Sequence, residues 1–207
     1  MTMKLITPKY EIVVQSPKKF KALISDFREV CEFPNYRIND GVSSKEHKFS
    51  ANANTCTLLG MNNGVDTYLG HYAPEYKKPD FKEKLDYIVK KFQDKTGELD
   101  AVIAGGYSYD VINNPQAAKD SFTLVAQVGE VLDKNGANLT VIAGKRVPSF
   151  VDNLAVTEDK FVLSHSPNYA TCFLKYPEPE VIKNASQLDA KYEIFEPSET
   201  HKLSFDF

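Results

Sequence analysis

The spacing of apolar residues along this chain alternates between about two and about 3.6 positions, which predicts both strands and helices. Helices are expected where apolar residues recur every third or fourth position between capping or breaking residues. Strands are expected where short apolar or β-branched runs lie between turn residues. The elements predicted in chain order are a strand at 10–15, a helix at 17–32, a hairpin at 55–73, a helix at 80–95, a strand at 99–106, a helix at 115–134, and strands at 139–144, 159–164 and 170–176.

This order of elements indicates an α/β protein. The strand, helix, strand succession over residues 99–144 has short connections, which is typical of a crossover between two parallel strands. Residues 34–54 are polar and rich in turn formers, and they are predicted to be a long loop. We expect one domain over residues 1–176. Residues 177–207 are rich in proline, glutamate and serine, which indicates a C-terminal appendage packed on the core or trailing from it.

The hairpin carries the most specific chemical signal. Asn63 and Gly64 lie between two apolar runs, and such a pair favours a two-residue type I′ turn. With that turn Cys56 would lie directly opposite His71, with the two Cβ atoms about 4.5–5.5 Å apart. A loop of Asn62 and Asn63 would make them diagonal neighbours on the same face, whereas a three-residue loop would place them on opposite faces.

Composition narrows the functional classes. The 207 residues carry a formal net charge of −3, which gives no electrostatic reason to expect nucleic acid as a partner. No apolar run is long enough for a membrane span, and the first residues lack the pattern of a secretory signal. We therefore expect a cytoplasmic protein, or one exported without a cleaved signal. The three cysteines are widely spaced, which argues against a disulfide framework or a thiolate zinc site, so no metal or cofactor is expected.

A thiol and an imidazole on one face of a hairpin form a candidate catalytic pair. Cys56 would be the nucleophile and His71 the general base that raises its thiolate fraction. Ser50 could orient the histidine, and Asn54 and Thr55 could donate to an oxyanion, although each of these polar residues could equally bond to nearby backbone.

Two other sequence features are weaker candidates. His165 and Cys172 flank the turn at residues 166–169 and form a rival pair, but Cys172 lies within an apolar run where burial is the simpler explanation. Gly105 and Gly106 end a strand before a helix, yet GGYSYD does not fit a phosphate-binding motif. Close backbone packing is the better explanation for this glycine pair.

With these residues in view, the chain resembles the chemoreceptor glutamine deamidase CheD and the catalytic domains of the cytotoxic necrotizing factor toxins. The resemblance lies in a cysteine that opens a hairpin, a histidine on its return strand, and the strand AVIAGG that resembles the family strand ending in FGG. Cys56 is followed by Thr57, and His71 lies 15 positions after the cysteine, as in the toxins. The family's third catalytic residue, a threonine six positions before the cysteine, corresponds to Ser50 here. The glycine that precedes the CheD cysteine and its GGMAH sequence are absent.

The resemblance implies a β-sandwich core flanked by helices. It also implies a protein glutamine deamidase that uses Cys56 and His71, passes through a thioester and needs no cofactor. The partner would be a protein substrate bearing a target glutamine, and the Cys-Thr spacing favours a bacterial effector or toxin over a chemotaxis enzyme. Two alternatives stay open: a non-catalytic binding module that uses the 34–54 loop and the tail, and a thiol protease or transglutaminase with the same pair.

Overall fold

A computed structural model describes residues 10–30, 46–51, 53, 56–73, 80–106, 115–142, 146–147, 149–164 and 203–206. In these ranges the chain is a mixed α/β protein with three α-helices and two main sheets. The helices are α1 (Pro17–Leu23), α2 (Phe81–Gln93) and α3 (Pro115–Lys134), and the strands are β1 (Glu11–Gln15), β2 (Arg28–Glu29), β3 (Lys48–Ser50), β4 (Thr57–Asn62), β5 (Thr67–Tyr72), β6 (Asp100–Gly105), β7 (Asn138–Val141), β8 (Arg146–Val147), β9 (Ser149–Phe150), β10 (Asn153–Val156), β11 (Lys160–Ser164) and β12 (Leu203–Asp206).

The two main sheets pack face to face. One has six strands in the order β12, β1, β11, β10, β3, β2, and the other has four in the order β5, β4, β6, β7. Alternate residues of both sheets point into the space between them, because successive side chains of a strand face opposite sides. This shared apolar core includes Leu58 and Leu69 from the four-stranded sheet and Leu154, Phe161 and Leu163 from the six-stranded sheet.

The helices cover the outer faces of the sheets. Leu59 and Ile103 point away from the shared core and pack with residues of α2 and α3, such as Leu85 and Leu124. On the far side of the molecule, Phe20 of α1 packs with Ala155 and Val162 of the six-stranded sheet. Each of the three helices therefore buries its apolar face against the outer side of a sheet.

Several predicted elements agree with the structure. The strand near residues 10–15, the hairpin, the second and third helices and the strand near 160–164 are present. β6 and β7 pair in parallel on either side of α3 in sequence, as the crossover prediction required. Ser16 accepts a hydrogen bond from the Lys19 backbone N–H and so caps α1.

The first helix is shorter than predicted. It ends at Leu23, a 3₁₀ turn follows over Ile24–Asp26, and β2 then pairs with β3. The apolar spacing favoured a longer helix because Leu23, Ile24 and Phe27 pack in one cluster with Phe20. The 3₁₀ turn and the extended Phe27, rather than a continued α-helix, place these side chains there.

The predicted 34–54 loop contains a strand that was missed. β3 pairs with β10, a strand that the sequence pattern also did not predict. The inward residues of β3 are polar, so the usual apolar alternation does not mark this strand. The predicted strand at 170–176 lies outside the described residues. Within 177–207 the structure describes only residues 203–206, which form β12 and pair in parallel with β1 at the sheet edge. The division at residue 176 stays a prediction.

Candidate active site

The hairpin has a different register from the one predicted. Asn62 pairs with Thr67, so the loop has four residues, and Leu58 rather than Cys56 lies opposite His71. The Asn63 side chain explains the longer loop, since its Oδ1 accepts the backbone N–H groups of Val65 and Asp66 at 3.0 and 2.8 Å. Its Nδ2 also donates to the Phe92 carbonyl oxygen at 2.6 Å.

The change of register keeps Cys56 and His71 on the same face. The pairing moves by an even number of residues, which preserves the facing of every side chain. Leu58 and Leu69, the inward neighbours of these two residues, belong with Cys56 to the core between the sheets. Cys56 is therefore a diagonal neighbour of His71, and the prediction of direct opposition is wrong.

Ser50 joins this face from the other sheet. It lies opposite Leu154, whose side chain faces the shared core, and so the Ser50 hydroxyl points toward the four-stranded sheet. The hydroxyl Oγ lies 2.8 Å from His71 Nδ1 in a buried hydrogen bond. The structure thus brings together the serine and the histidine that the sequence had placed 21 residues apart.

Burial controls the charge of His71. The side chain is 6% exposed, and desolvation lowers the pKa of His71 to about 4. The imidazole is therefore neutral near pH 7, and either of its tautomers can take part in the bond to Ser50. When Nδ1 carries the proton and donates it to Ser50 Oγ, Nε2 is the acceptor, which is the form a general base requires.

Backbone hydrogen bonds hold the segment around Cys56. The Cys56 carbonyl oxygen accepts the Gly106 N–H at 2.7 Å, and the Ala53 N–H donates to the Asp152 carbonyl oxygen at 2.9 Å. Gly105 has φ +73°, and a Cβ on it would overlap the Cys56 carbonyl oxygen and lie 2.7 Å from that of Ala53. Close backbone packing, the predicted explanation for this glycine pair, is confirmed.

Most of the remaining predicted site residues lie outside the part of the chain that the structure describes. Asn54 and Thr55, the candidate oxyanion donors, lie outside the described residues, as do His165 and Cys172 of the rival pair. Cys56 is buried with 9% of its surface exposed.

Nothing in the sequence pattern indicated two buried polar residues near the site. Lys48 is fully buried on β3, two residues before Ser50, and Asp152 is buried just before β10. A charged residue at an inward strand position gives no apolar periodicity, so only the alternation of Lys48, Phe49 and Ser50 could have indicated this strand.

Comparisons with known proteins give no family assignment. No protein-family model matches this chain, and no curated protein matches it significantly. Among the described residues there is no cluster of three or more histidine, cysteine, aspartate or glutamate side chains that could hold a metal ion. In the same part of the chain, no helix is both long and apolar enough to cross a membrane.

Proposed function

We propose that this protein is a cysteine-dependent protein glutamine deamidase with Cys56 as nucleophile, His71 as general base and Ser50 as the group that orients the histidine. The Ser50–His71 hydrogen bond carries the proposal. The family resemblance selected these two residues for their positions relative to Cys56, and the hydrogen bond joins them across two different sheets. The shared face of Cys56 and His71 is the second support.

The proposed reaction has two halves. His71 Nε2 takes the thiol proton, and the Cys56 sulfur attacks the side-chain carboxamide carbon of a glutamine. The C–N bond of the resulting tetrahedral species breaks, and His71 returns the proton to the departing ammonia. Water then attacks the thioester with His71 again as base, the C–S bond breaks, and glutamate and the thiol are released.

The neutral state of His71 suits this role. A group that must accept a proton near pH 7 has to be unprotonated there, and the low pKa of His71 meets that condition. The same low pKa disfavours a permanent thiolate–imidazolium pair before substrate binds, so proton transfer would accompany attack. Asn54 and Thr55 are proposed to supply oxyanion donors from the segment just before Cys56.

We extend the proposal to the protein's setting on the strength of the resemblance. The packed sheets and outer helices are compatible with the β-sandwich fold of the deamidase family. We propose a bacterial effector or toxin that modifies a protein, either in the cytoplasm or after export into a host cell. Conversion of a neutral amide into a carboxylate adds a negative charge, which is enough to switch a signalling protein.

Mass spectrometry of treated proteins tests the reaction. Soluble extracts of bacterial and eukaryotic cells are incubated with the parent protein, with Cys56→Ser or with Cys172→Ser, and peptides are examined for glutamine-to-glutamate conversion, a gain of about one mass unit per deamidated residue. We expect the same glutamines to be converted by the parent and by Cys172→Ser but not by Cys56→Ser. Conversion by Cys56→Ser would refute the proposal, and loss of conversion in folded Cys172→Ser would favour the rival pair.

The burial of Cys56 favours one alternative, a protein-binding module without catalytic activity. A thiol buried for structural reasons would be inert with or without His71, whereas a thiol whose proton His71 accepts during attack would react faster when the histidine is present. The rate of Cys56 alkylation by iodoacetamide at pH 7, compared between the parent and His71→Gln, separates the two functions. A thiol protease or transglutaminase using the same residues would instead give cleaved or cross-linked products in the extract experiment.

A further inference from the structure

A second polar contact crosses between the sheets beside the Ser50–His71 bond. Lys48 Nζ donates to Thr67 Oγ1 at 2.9 Å and to the Thr67 carbonyl oxygen at 3.4 Å. The same ammonium donates to the Glu46 carbonyl oxygen at 2.9 Å, and Thr67 Oγ1 donates to that oxygen at 3.3 Å. Lys48 and Ser50 thus lie on one strand, and their partners Thr67 and His71 lie on another.

The two contacts join the same two strands, β3 and β5, at different spacings. Lys48 and Ser50 are two residues apart on β3, a rise of about 7 Å, while Thr67 and His71 are four residues apart on β5, about 13 Å. The long lysine side chain spans this difference, which a shorter residue could not do. Since β3 has only three residues, two cross-sheet contacts hold most of its length against β5.

A fully buried lysine is costly unless its ammonium group is satisfied by hydrogen bonds. Lys48 is 0% exposed, and burial lowers the pKa of Lys48. An apolar residue at an inward position of a sheet would avoid this desolvation. The Lys48 ammonium donates its hydrogen bonds to oxygens of Thr67 and Glu46. Lys48 therefore contributes to the alignment of the strands rather than to the strength of the core.

We propose that Lys48 and Thr67 are positioning residues of the site, which hold β3 against β5 so that the Ser50 hydroxyl stays within hydrogen-bonding reach of His71. Their role in catalysis rests on the proposed function, but their effect on the Ser50–His71 bond does not. Loss of the Lys48–Thr67 contact would let the short β3 strand shift. The histidine would then lose its preferred tautomer and orientation without any change in its own side chain.

Nitrogen NMR of the His71 ring in the full chain tests this inference, because ring nitrogen shifts report tautomer and hydrogen bonding. The protein has four histidines, and His71→Gln identifies the relevant signals. Ser50→Ala defines the shift that follows loss of the bond. We expect Lys48→Met and Thr67→Val to move the Nδ1 signal in the same direction, and Thr67→Ser, which keeps the hydroxyl, to leave it in place.

The controls separate positioning from general stability. Lys18→Met removes an exposed lysine of α1 and should leave the His71 signals unchanged. If Lys48→Met does not fold, Thr67→Val alone decides, since it removes one hydroxyl and keeps the volume. An unchanged Nδ1 signal in folded Thr67→Val and Lys48→Met would overturn the inference.

The same variants connect the inference to the chemistry. We expect the rate of Cys56 alkylation by iodoacetamide at pH 7 to fall in Lys48→Met, as we expect it to fall in Ser50→Ala, because a poorly oriented His71 accepts the thiol proton less well. If the NMR signal moves but the parent deamidates no glutamine, the positioning role stands and the proposed function fails. If the parent is active and the NMR signal does not move, the positioning role fails by itself.

Discussion

Two features of its surroundings determine what His71 can do. Burial keeps the imidazole neutral, and the Ser50 hydroxyl at Nδ1 limits its tautomer and rotation. The Ser50 hydroxyl is uncharged, so unlike the carboxylate of a catalytic triad it cannot stabilise an imidazolium by its charge. We therefore expect orientation, rather than charge stabilisation, to be the contribution of Ser50.

The roles of the two residues predict a graded loss of turnover. His71→Ala removes the proton acceptor and should lower kcat by about 10²–10⁴-fold, the usual contribution of a general base. Ser50→Ala should cost less, up to about a hundredfold, because a base remains but is poorly oriented. Turnover of a glutamine identified in the extract experiment is the measurement, with folding checked by circular dichroism.

Ser50→Thr is the matched control for the hydroxyl. It should keep kcat closer to the parent than Ser50→Ala does, although the added methyl at a fully buried position should cost about 1–3 kcal/mol of stability. If Ser50→Ala turns over like the parent, Ser50 has only a structural role and another group orients His71.

The low pKa of His71 also predicts a pH dependence of stability. Between its unfolded value of 6.5 and its folded value of about 4, the unfolded protein binds a proton that the folded protein does not. The free energy of unfolding should therefore be highest above pH 6.5 and fall as the pH decreases toward 4. The full contribution is about 3 kcal/mol by linkage.

Urea denaturation across this pH range measures the effect. Carboxylates also titrate near its lower end, so the informative quantity is the difference between the parent and His71→Gln. The variant should lose less stability on acidification than the parent does. Parallel pH profiles for the two proteins would show that His71 is not buried in its neutral form.

At the scale of elements, the end of β6 supports the start of β4. Gly105→Ala should destabilise the protein in two ways, because alanine at φ +73° is strained and its Cβ would overlap the Cys56 carbonyl oxygen. Gly97→Ala is the matched control, since Gly97 has φ +75° and nothing lies within 4 Å of an added Cβ. We expect about 1–2 kcal/mol for Gly97→Ala from left-handed strain alone.

Gly105→Ala should exceed this control by a further 1–3 kcal/mol or so, the usual cost of overpacking. Thermal or urea unfolding of the two variants gives the difference. Because the overlap is with the Cys56 backbone, alkylation of Cys56 should also change in Gly105→Ala and not in Gly97→Ala. Equal destabilisation of the two variants would contradict the close packing of these segments.

At the scale of the whole molecule, the two sheets approach each other closely at Gly60. A Cβ on Gly60 would lie 3.0 Å from Val156 Cγ2 and 3.1 Å from atoms of Leu154 and Phe161. Gly60→Ala should therefore cost about 1–3 kcal/mol, because the sheets must separate or their side chains must leave preferred rotamers. Urea unfolding measures this cost.

A double-mutant cycle with Val156→Ala tests the cause. Removal of the Val156 methyl groups makes room for the new Cβ, so the double variant should be more stable than the sum of the two single changes predicts. Additive effects would mean that the contact between the sheets does not limit residue 60.

Local signals along the chain were enough for much of the fold and for part of the site. Apolar spacing and caps predicted α2, α3, β1 and the hairpin, because these elements bury apolar faces whose period is visible in the sequence. They failed at β3, where the inward residues are Lys48 and Ser50. The inward face of β3 is polar and its hydrogen-bond partners lie on the other sheet, so this strand shows no apolar periodicity along the chain.

The sequence by itself determined the hairpin and favoured a shared face for Cys56 and His71, which a loop of two or four residues preserves and a loop of three would not. It could not determine the register, which depends on how the Asn63 side chain bonds to its own loop and to α2. Nor could it bring Ser50 to His71 or Lys48 to Thr67. Those contacts join residues of two sheets, and only the packing of one sheet on the other sets the distance between them.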